Sequence, residues 1–285
     1  MSLNRSIAFA LAGLLCGASG AQAQTLGHCR FQVSQSAFAG DPATQAACLL
    51  RTVRPLGRVD AAPVGLPPRL SGLIGRALPF DRARLAALLD RRRLDQAALG
   101  GDLARPLSRG GNNAAAGPFA RYFVIHDTST PNFGQAPFPA DIDDGDRVNG
   151  LARYRGLDAV AHLFVNRRGQ TLVGHDFGTP WRATKIERQI GVPSKGLFLH
   201  VELVQPRRAH PHQADGTAPV PGFTSAQYDK LALLYLTAST RAGKGLIPAF
   251  HAALDEGLSD GHDDPQNFDL AQFDAALGRL LGELR

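Results

Sequence analysis

Residues 197–204 read Leu-Phe-Leu-His-Val-Glu-Leu-Val, a run apolar enough to be a central strand although it carries a histidine and a carboxylate. Working outward, residues 121–125 (Arg-Tyr-Phe-Val-Ile) are also β-rich and lead straight into His126. Residues 162–166 (His-Leu-Phe-Val-Asn) predict a further strand, turned at Arg168-Gly169 into residues 170–173, which makes a hairpin. Thr224-Ser-Ala-Gln227 is a capping box opening a helix to about Arg241, with Leu231, Leu234 and Tyr235 as its buried face. A last helix, about Leu270 to Leu284, sets Phe273, Leu277, Leu280, Leu281 and Leu284 on one side. Strands mixed with covering helices and one hairpin predict an α/β fold, a mixed central β-sheet flanked by helices.

Upstream the texture changes. Residues 24–107 read as a small, mainly helical N-terminal module, and 108–117 (Ser-Arg-Gly-Gly-Asn-Asn-Ala-Ala-Ala-Gly) as a linker to a domain over 118–285. Pro42 to Val53 predicts one helix, with its proline where a missing N–H costs least. Asp81 to Leu99 predicts a second, with Leu85, Leu88 and Leu89 on one face and arginines on the other. Residues 63–68, with three prolines and a glycine, predict a loop between them. Arg91, Arg92 and Arg93 read first as a solvated helix face, and second as a grip on an anionic polymer. A wall-binding domain, a covering pro-segment and a packing extension all remain open for this module.

Residues 1–23 carry one charge, Arg5, then an apolar run from Ile7 to Leu15 and small residues ending at Ala23. That is the pattern of a cleavable signal peptide, which places the protein in the periplasm or outside the cell. The run is too short for a bilayer core of roughly 30 Å, and no later stretch is apolar enough to be a transmembrane helix. A lipoprotein anchor at Cys16 is the competing reading, but Leu15 is large for that signal. Cleavage leaves Cys29 and Cys48, and an exported protein with one close pair suggests a disulfide, against two buried free thiols.

The remaining chain has a formal charge of +5, the +6 of the whole sequence less Arg5. Cell-wall polymers and nucleic acid would both suit such a surface. No aromatic-basic motif or zinc-finger spacing supports nucleic acid, and export favours the wall.

Nine histidines are present, and position sorts them. His126 ends a strand and opens a polar loop, where α/β sheets place ligand groups. His251 follows a short apolar run, residues 246–250, and Asp264 lies in the turn-rich stretch 261–265. Two imidazoles and one carboxylate make a standard catalytic zinc set, with the fourth position left for water. Glu202 sits within an apolar strand, where a carboxylate needs a partner or a purpose. Spacing alone does not assemble these residues into one site.

Five segments do so by resemblance. Val124-Ile-His126-Asp-Thr-Ser-Thr, Ala161-His-Leu-Phe-Val-Asn-Arg-Arg-Gly169, Leu199-His-Val-Glu202-Leu, Phe223-Thr-Ser-Ala-Gln-Tyr228 and Asp263-Asp264-Pro265-Gln-Asn-Phe268 fall in one order over residues 118–285. That ordered set resembles the type 2 N-acetylmuramoyl-L-alanine amidases, which include phage amidases and the peptidoglycan recognition proteins. The resemblance implies that fold, zinc held by His126, His251 and Asp264, and Glu202 as acid/base. It implies hydrolysis of the amide between N-acetylmuramic acid and L-alanine in peptidoglycan.

The sequence departs from the family pattern in several places. Phe250 replaces a glycine before the second histidine, Arg182 follows Trp181 where a histidine is common, and the interval from His251 to Asp264 is longer than usual. Two residues before Asp264, His262 replaces a lysine that would steady the oxyanion; a histidine can donate the same hydrogen bond or compete for the metal. His162 reads as packed in the sheet. His200 shares the Glu202 face by alternation and is a candidate to line the cleft. His175 stays open, His28 reads as a surface residue, and His210 and His212 as solvated in the loop from Pro206 to Pro221. The competing functions are a non-catalytic peptidoglycan-binding protein on the same fold and a metallopeptidase acting on the stem peptide.

Overall fold

The computed structural model of the chain describes residues 24–156, 160–209, 216–259 and 261–285. The signal-peptide reading of residues 1–23 with Cys16, and the loop histidines His210 and His212, lie outside the described residues.

Three two-residue strands, β1 (Thr25–Leu26), β2 (Phe31–Gln32) and β3 (Ala37–Phe38), form a small antiparallel sheet. Helices α1 (Pro42–Leu49), α2 (Pro68–Leu73) and α3 (Arg82–Arg91) follow, then a helical turn α4 (Gly110–Asn113). The larger part runs β4 (Tyr122–Asp127), α5 (Asp146–Asn149), β5 (Leu163–Val165), β6 (Thr171–Val173), α6 (Lys185–Ile190) and β7 (Phe198–Leu203). It continues through β8 (Arg208–Ala209), β9 (Gly216–Thr217), α7 (Ser225–Ala242), β10 (Ile247–Phe250), α8 (His251–Asp255) and α9 (Leu270–Glu283).

The main sheet has the order β10-β4-β7-β5-β6, parallel throughout except for the edge strand β6, so it is mixed. Every residue of β4 and β7 is buried, as expected of parallel strands covered on both sides. Alternation along β4 sorts its side chains between two faces. Tyr122 stacks on Phe198 at 4.8 Å and meets Phe38 edge-on at 5.2 Å, whereas Phe123 meets Tyr235 of α7 at 5.6 Å. Residues 24–50 therefore cover one face, while α7, backed by α9, covers the other. His126, His200 and Glu202 belong by period to the first face.

Packing ties the N-terminal part into this sheet. One hydrophobic core runs from Phe31 and Leu49 through β4 and β7 to Leu277. Each fully buried Phe or Leu contributes about 1.5–3 kcal/mol. The Tyr122 hydroxyl accepts from Phe38 N and donates to Gln45 Oε1, both at 2.9 Å. Cys29 and Cys48 are bonded, joining the turn between β1 and β2 to α1. Within 108–117, Ser108 is buried; its N–H donates to Phe177 O at 2.8 Å and its hydroxyl to Gly196 O at 3.0 Å.

Helix starts match the sequence reading better than helix ends. Thr224 and Gln227 form the reciprocal cap of α7, which Gly243 ends in the left-handed region at φ 72°. The helix begun at Asp81 stops at Arg91 rather than Leu99. Arg93 turns to φ 53°, and the Asp95 carboxylate then accepts from Ala97 N, which favours a new turn over continuation. The helix at Pro42 likewise ends at Leu49, four residues before Val53.

Candidate metal centre

Two adjacent strands and two segments after β10 bring the site together. β4 carries His126 to its carboxyl end, and the parallel register sets it opposite Glu202 of β7. β10 pairs with β4 on the other side and delivers His251 as the first residue of α8. The chain then returns with Asp264. Asp127 N donates to Asp264 Oδ2 at 3.1 Å, and Ala252 N donates to Asp264 O at 2.8 Å. A buried pair anchors this return: Arg207 donates to Asp127 Oδ2 at 2.8 Å, and Gln266 N donates to the same oxygen at 3.1 Å.

His126 Nδ1 and His251 Nδ1 lie 2.9 Å apart. Asp264 Oδ1 lies 3.0 Å from His251 Nδ1, and Asp264 Oδ2 lies 3.6 Å from His126 Nδ1. All three residues are buried, and their ligating atoms lie within 4.8 Å of one another. Donor atoms of a tetrahedral zinc with bonds of about 2.0–2.1 Å sit about 3.3 Å apart, so the set has the right chemistry and spacing. Asp255 Oδ2 lies 3.0 Å from His251 Nε2, which leaves Nδ1 of a neutral His251 bare. Three lone-pair atoms converging in a buried space are a poor arrangement unless a cation or proton sits among them.

Electrostatics show the same demand. Burial opposes a charged His251, but Asp264 and Asp255 outweigh it and push this imidazole up to about 10. Burial, reinforced by the neighbouring His251 and His200, holds His126 well below the usual histidine range. Glu202 is driven well above the ordinary carboxylate range, by burial first and by the Asp264 charge second. Its Oε1 lies 3.9 Å from His126 Nδ1, and its Oε2 is buried without a hydrogen-bond partner among the described residues. A buried oxygen held free beside a metal-type cluster is placed to exchange a proton with something bound there.

His262 stacks on His251 with ring centroids 4.1 Å apart and is half exposed. Its Nδ1 stands 3.7 Å from Asp264 Oδ1, too far for a hydrogen bond, so that nitrogen is not committed to the carboxylate.

No family model matches the sequence, and no curated protein matches it. Among solved structures the chain is similar to a selenomethionine derivative of AmpD, at 17% identity and a TM-score of 0.36, over 63% of this chain and 97% of that one. It is similar to LysCS, an endolysin N-acetylmuramoyl-L-alanine amidase from Clostridium intestinale URNW, at 13% identity and 0.32, over 62% and 91%. A third similarity is to the Ph2119 endolysin of a Thermus scotoductus MAT2119 bacteriophage, at 12% identity and 0.33, over 59% and 90%.

The structure brings together His126, His251, Asp264 and Glu202, with His262 at the rim. Of the remaining histidines, His200 stands against His126, its Nδ1 3.0 Å from His126 Nε2, while His162, His175 and His28 stand apart from the group. His162 is buried, accepts from His200 N at its Nδ1 and donates from Nε2 to Thr179 O, a satisfied packed residue. His175 stacks on Trp181 at 4.3 Å. His28 lies 3.3 Å from Glu256. Sequence reading missed Asp255, whose signal was its position four residues after His251 on a helix. It also missed Glu187 and Arg207, which carried no local signal because their partners are distant in sequence.

Proposed function

We propose that the protein is a zinc-dependent hydrolase of peptidoglycan that cleaves the amide between N-acetylmuramic acid and L-alanine. The observation that carries this reading is the convergence of His126 Nδ1, His251 Nδ1 and the Asp264 carboxylate beside the unpartnered Oε2 of Glu202. His126, His251 and Asp264 hold the metal. Zinc, when bound, supplies a polarising Lewis acid and a water whose pKa is lowered to about 7. Glu202 Oε2 takes the proton of the attacking water and returns it to the leaving amine. His262 donates a hydrogen bond to the oxygen on which charge develops. Asp255 orients His251 through Nε2.

The substrate is the one implied by the resemblance of the ordered motifs in residues 118–285, and the N-terminal pattern and the Cys29–Cys48 bond support export to the periplasm or beyond. Mass analysis of digested peptidoglycan tests the reading. Free glycan with intact stem peptides is the expected product. Cut stem peptides would make the protein a metallopeptidase, and binding without product would make it a recognition protein.

A further inference from the structure

Behind His126, on the side away from the candidate metal position, lies a second buried imidazole. His126 Nε2 is 3.0 Å from His200 Nδ1, and His200 Nε2 is 3.2 Å from Glu187 Oε2. His200 and Glu187 are both fully buried. The second contact does not meet hydrogen-bond geometry, and His200 Nε2 has no other hydrogen-bond partner among the described residues. Glu187 is fixed by its own surroundings. It is the third residue of α6, and its Oε2 accepts from Ala183 N and Thr184 N at 3.1 Å and from the Thr184 hydroxyl at 2.8 Å. An oxygen accepting from three donors is carboxylate in character.

That end of the chain sets the direction of the rest. A bare His200 Nε2 would face a buried carboxylate with lone pair against lone pair, so this nitrogen carries the proton. With its proton on Nε2, His200 presents a bare Nδ1 placed to accept from His126 Nε2–H. His126 is left with a bare Nδ1, the atom aimed at His251 and Asp264. We propose that His200 and Glu187 are positioning residues, a buried relay that fixes His126 as its Nε2–H tautomer and presents Nδ1 to the metal. The two histidines thus solve one problem differently: His251 leans directly on Asp255, and His126 leans on a carboxylate one imidazole further away. β7 addresses His126 from both sides, with His200 behind it and Glu202 beside the metal position.

The inference rests on His126 being a zinc ligand, so both ideas are tested together. Zinc affinity by chelator competition is measured for wild type, His126→Ala, His200→Phe and His200→Asn. His200→Phe keeps the ring and its packing but removes the acceptor, and should weaken zinc binding by about 10–100-fold. His200→Asn restores an acceptor near the Nδ1 position and should recover most of that loss, which a packing role would not predict. In nitrogen-15 spectra of the zinc-loaded protein, His126 should show a slowly exchanging Nε2–H, absent in His200→Phe. If His200→Phe fails to fold, Glu187→Gln, which keeps the side chain's shape, should weaken zinc in the same direction. Wild-type affinity in these variants, with zinc lost in His126→Ala, overturns the relay alone. Zinc retained in His126→Ala overturns the metal site itself.

Discussion

Glu202 stands opposite His126 in the parallel register of β4 and β7, its Oε1 3.9 Å from the ring nitrogen His126 turns toward His251. Backbone hydrogen bonding between two buried strands therefore sets the spacing between the proposed base Glu202 and the proposed ligand His126, with no loop involved. A site built on strands holds its geometry more closely than one built on loops. Replacing Glu202 by Gln keeps the shape and removes the proposed base. Turnover on peptidoglycan should fall by about 10² or more with zinc still bound. Unchanged turnover would remove Glu202 from the mechanism, and loss of metal would make it a ligand.

The purified protein should carry one zinc per chain. His126→Ala, His251→Ala and Asp264→Ala should each lose it, and chelators should abolish an activity that added zinc restores. Elemental analysis decides this, since equal zinc in wild type and His126→Ala is incompatible with the ligand set.

The Cys29–Cys48 bond closes a loop between residues 19 apart, which the chain-entropy model values at about 3 kcal/mol. Thiol titration of denatured, unreduced protein should find neither cysteine of this pair free. Cys48→Ser should lower the denaturation midpoint by a comparable free energy. Two free thiols would remove the bond and leave the metal centre untouched.

Tyr122→Phe tests how firmly residues 24–50 are tied to the sheet. The hydroxyl is buried and serves Phe38 N and Gln45 Oε1 together, so its removal leaves a donor and an acceptor unpaired. Destabilisation of about 1–3 kcal/mol is expected, in a single cooperative transition. A separate early transition would show instead that the N-terminal part unfolds on its own.

The legible parts of this protein were those whose signal is local or periodic. The apolar runs of β4 and β7, the Thr224 cap and the last helix follow from side-chain period and capping chemistry alone. The tiny sheet β1–β3 was not legible, because two-residue strands have no period to read. His200 illustrates the intermediate case. Alternation put it on the Glu202 face, but whether it faced substrate or stood behind His126 depended on α6, which brings Glu187 from a segment with no sequence tie to it.

The last prediction concerns His262. It stacks on His251, is half exposed, and has a ring nitrogen not committed to Asp264, so it can donate to a substrate oxygen without serving as a ligand. Removing one oxyanion donor typically costs about 10² to 10³ in turnover. His262→Ala should cut the rate by that order while zinc content stays at one per chain. His262→Lys, which keeps a donor at the same place, should restore part of the rate. Loss of metal in His262→Ala would make His262 a ligand and displace Asp264 from the set. An unchanged rate with unchanged metal would reduce His262 to a ring covering His251, and the oxyanion donor would then have to be sought elsewhere around the site.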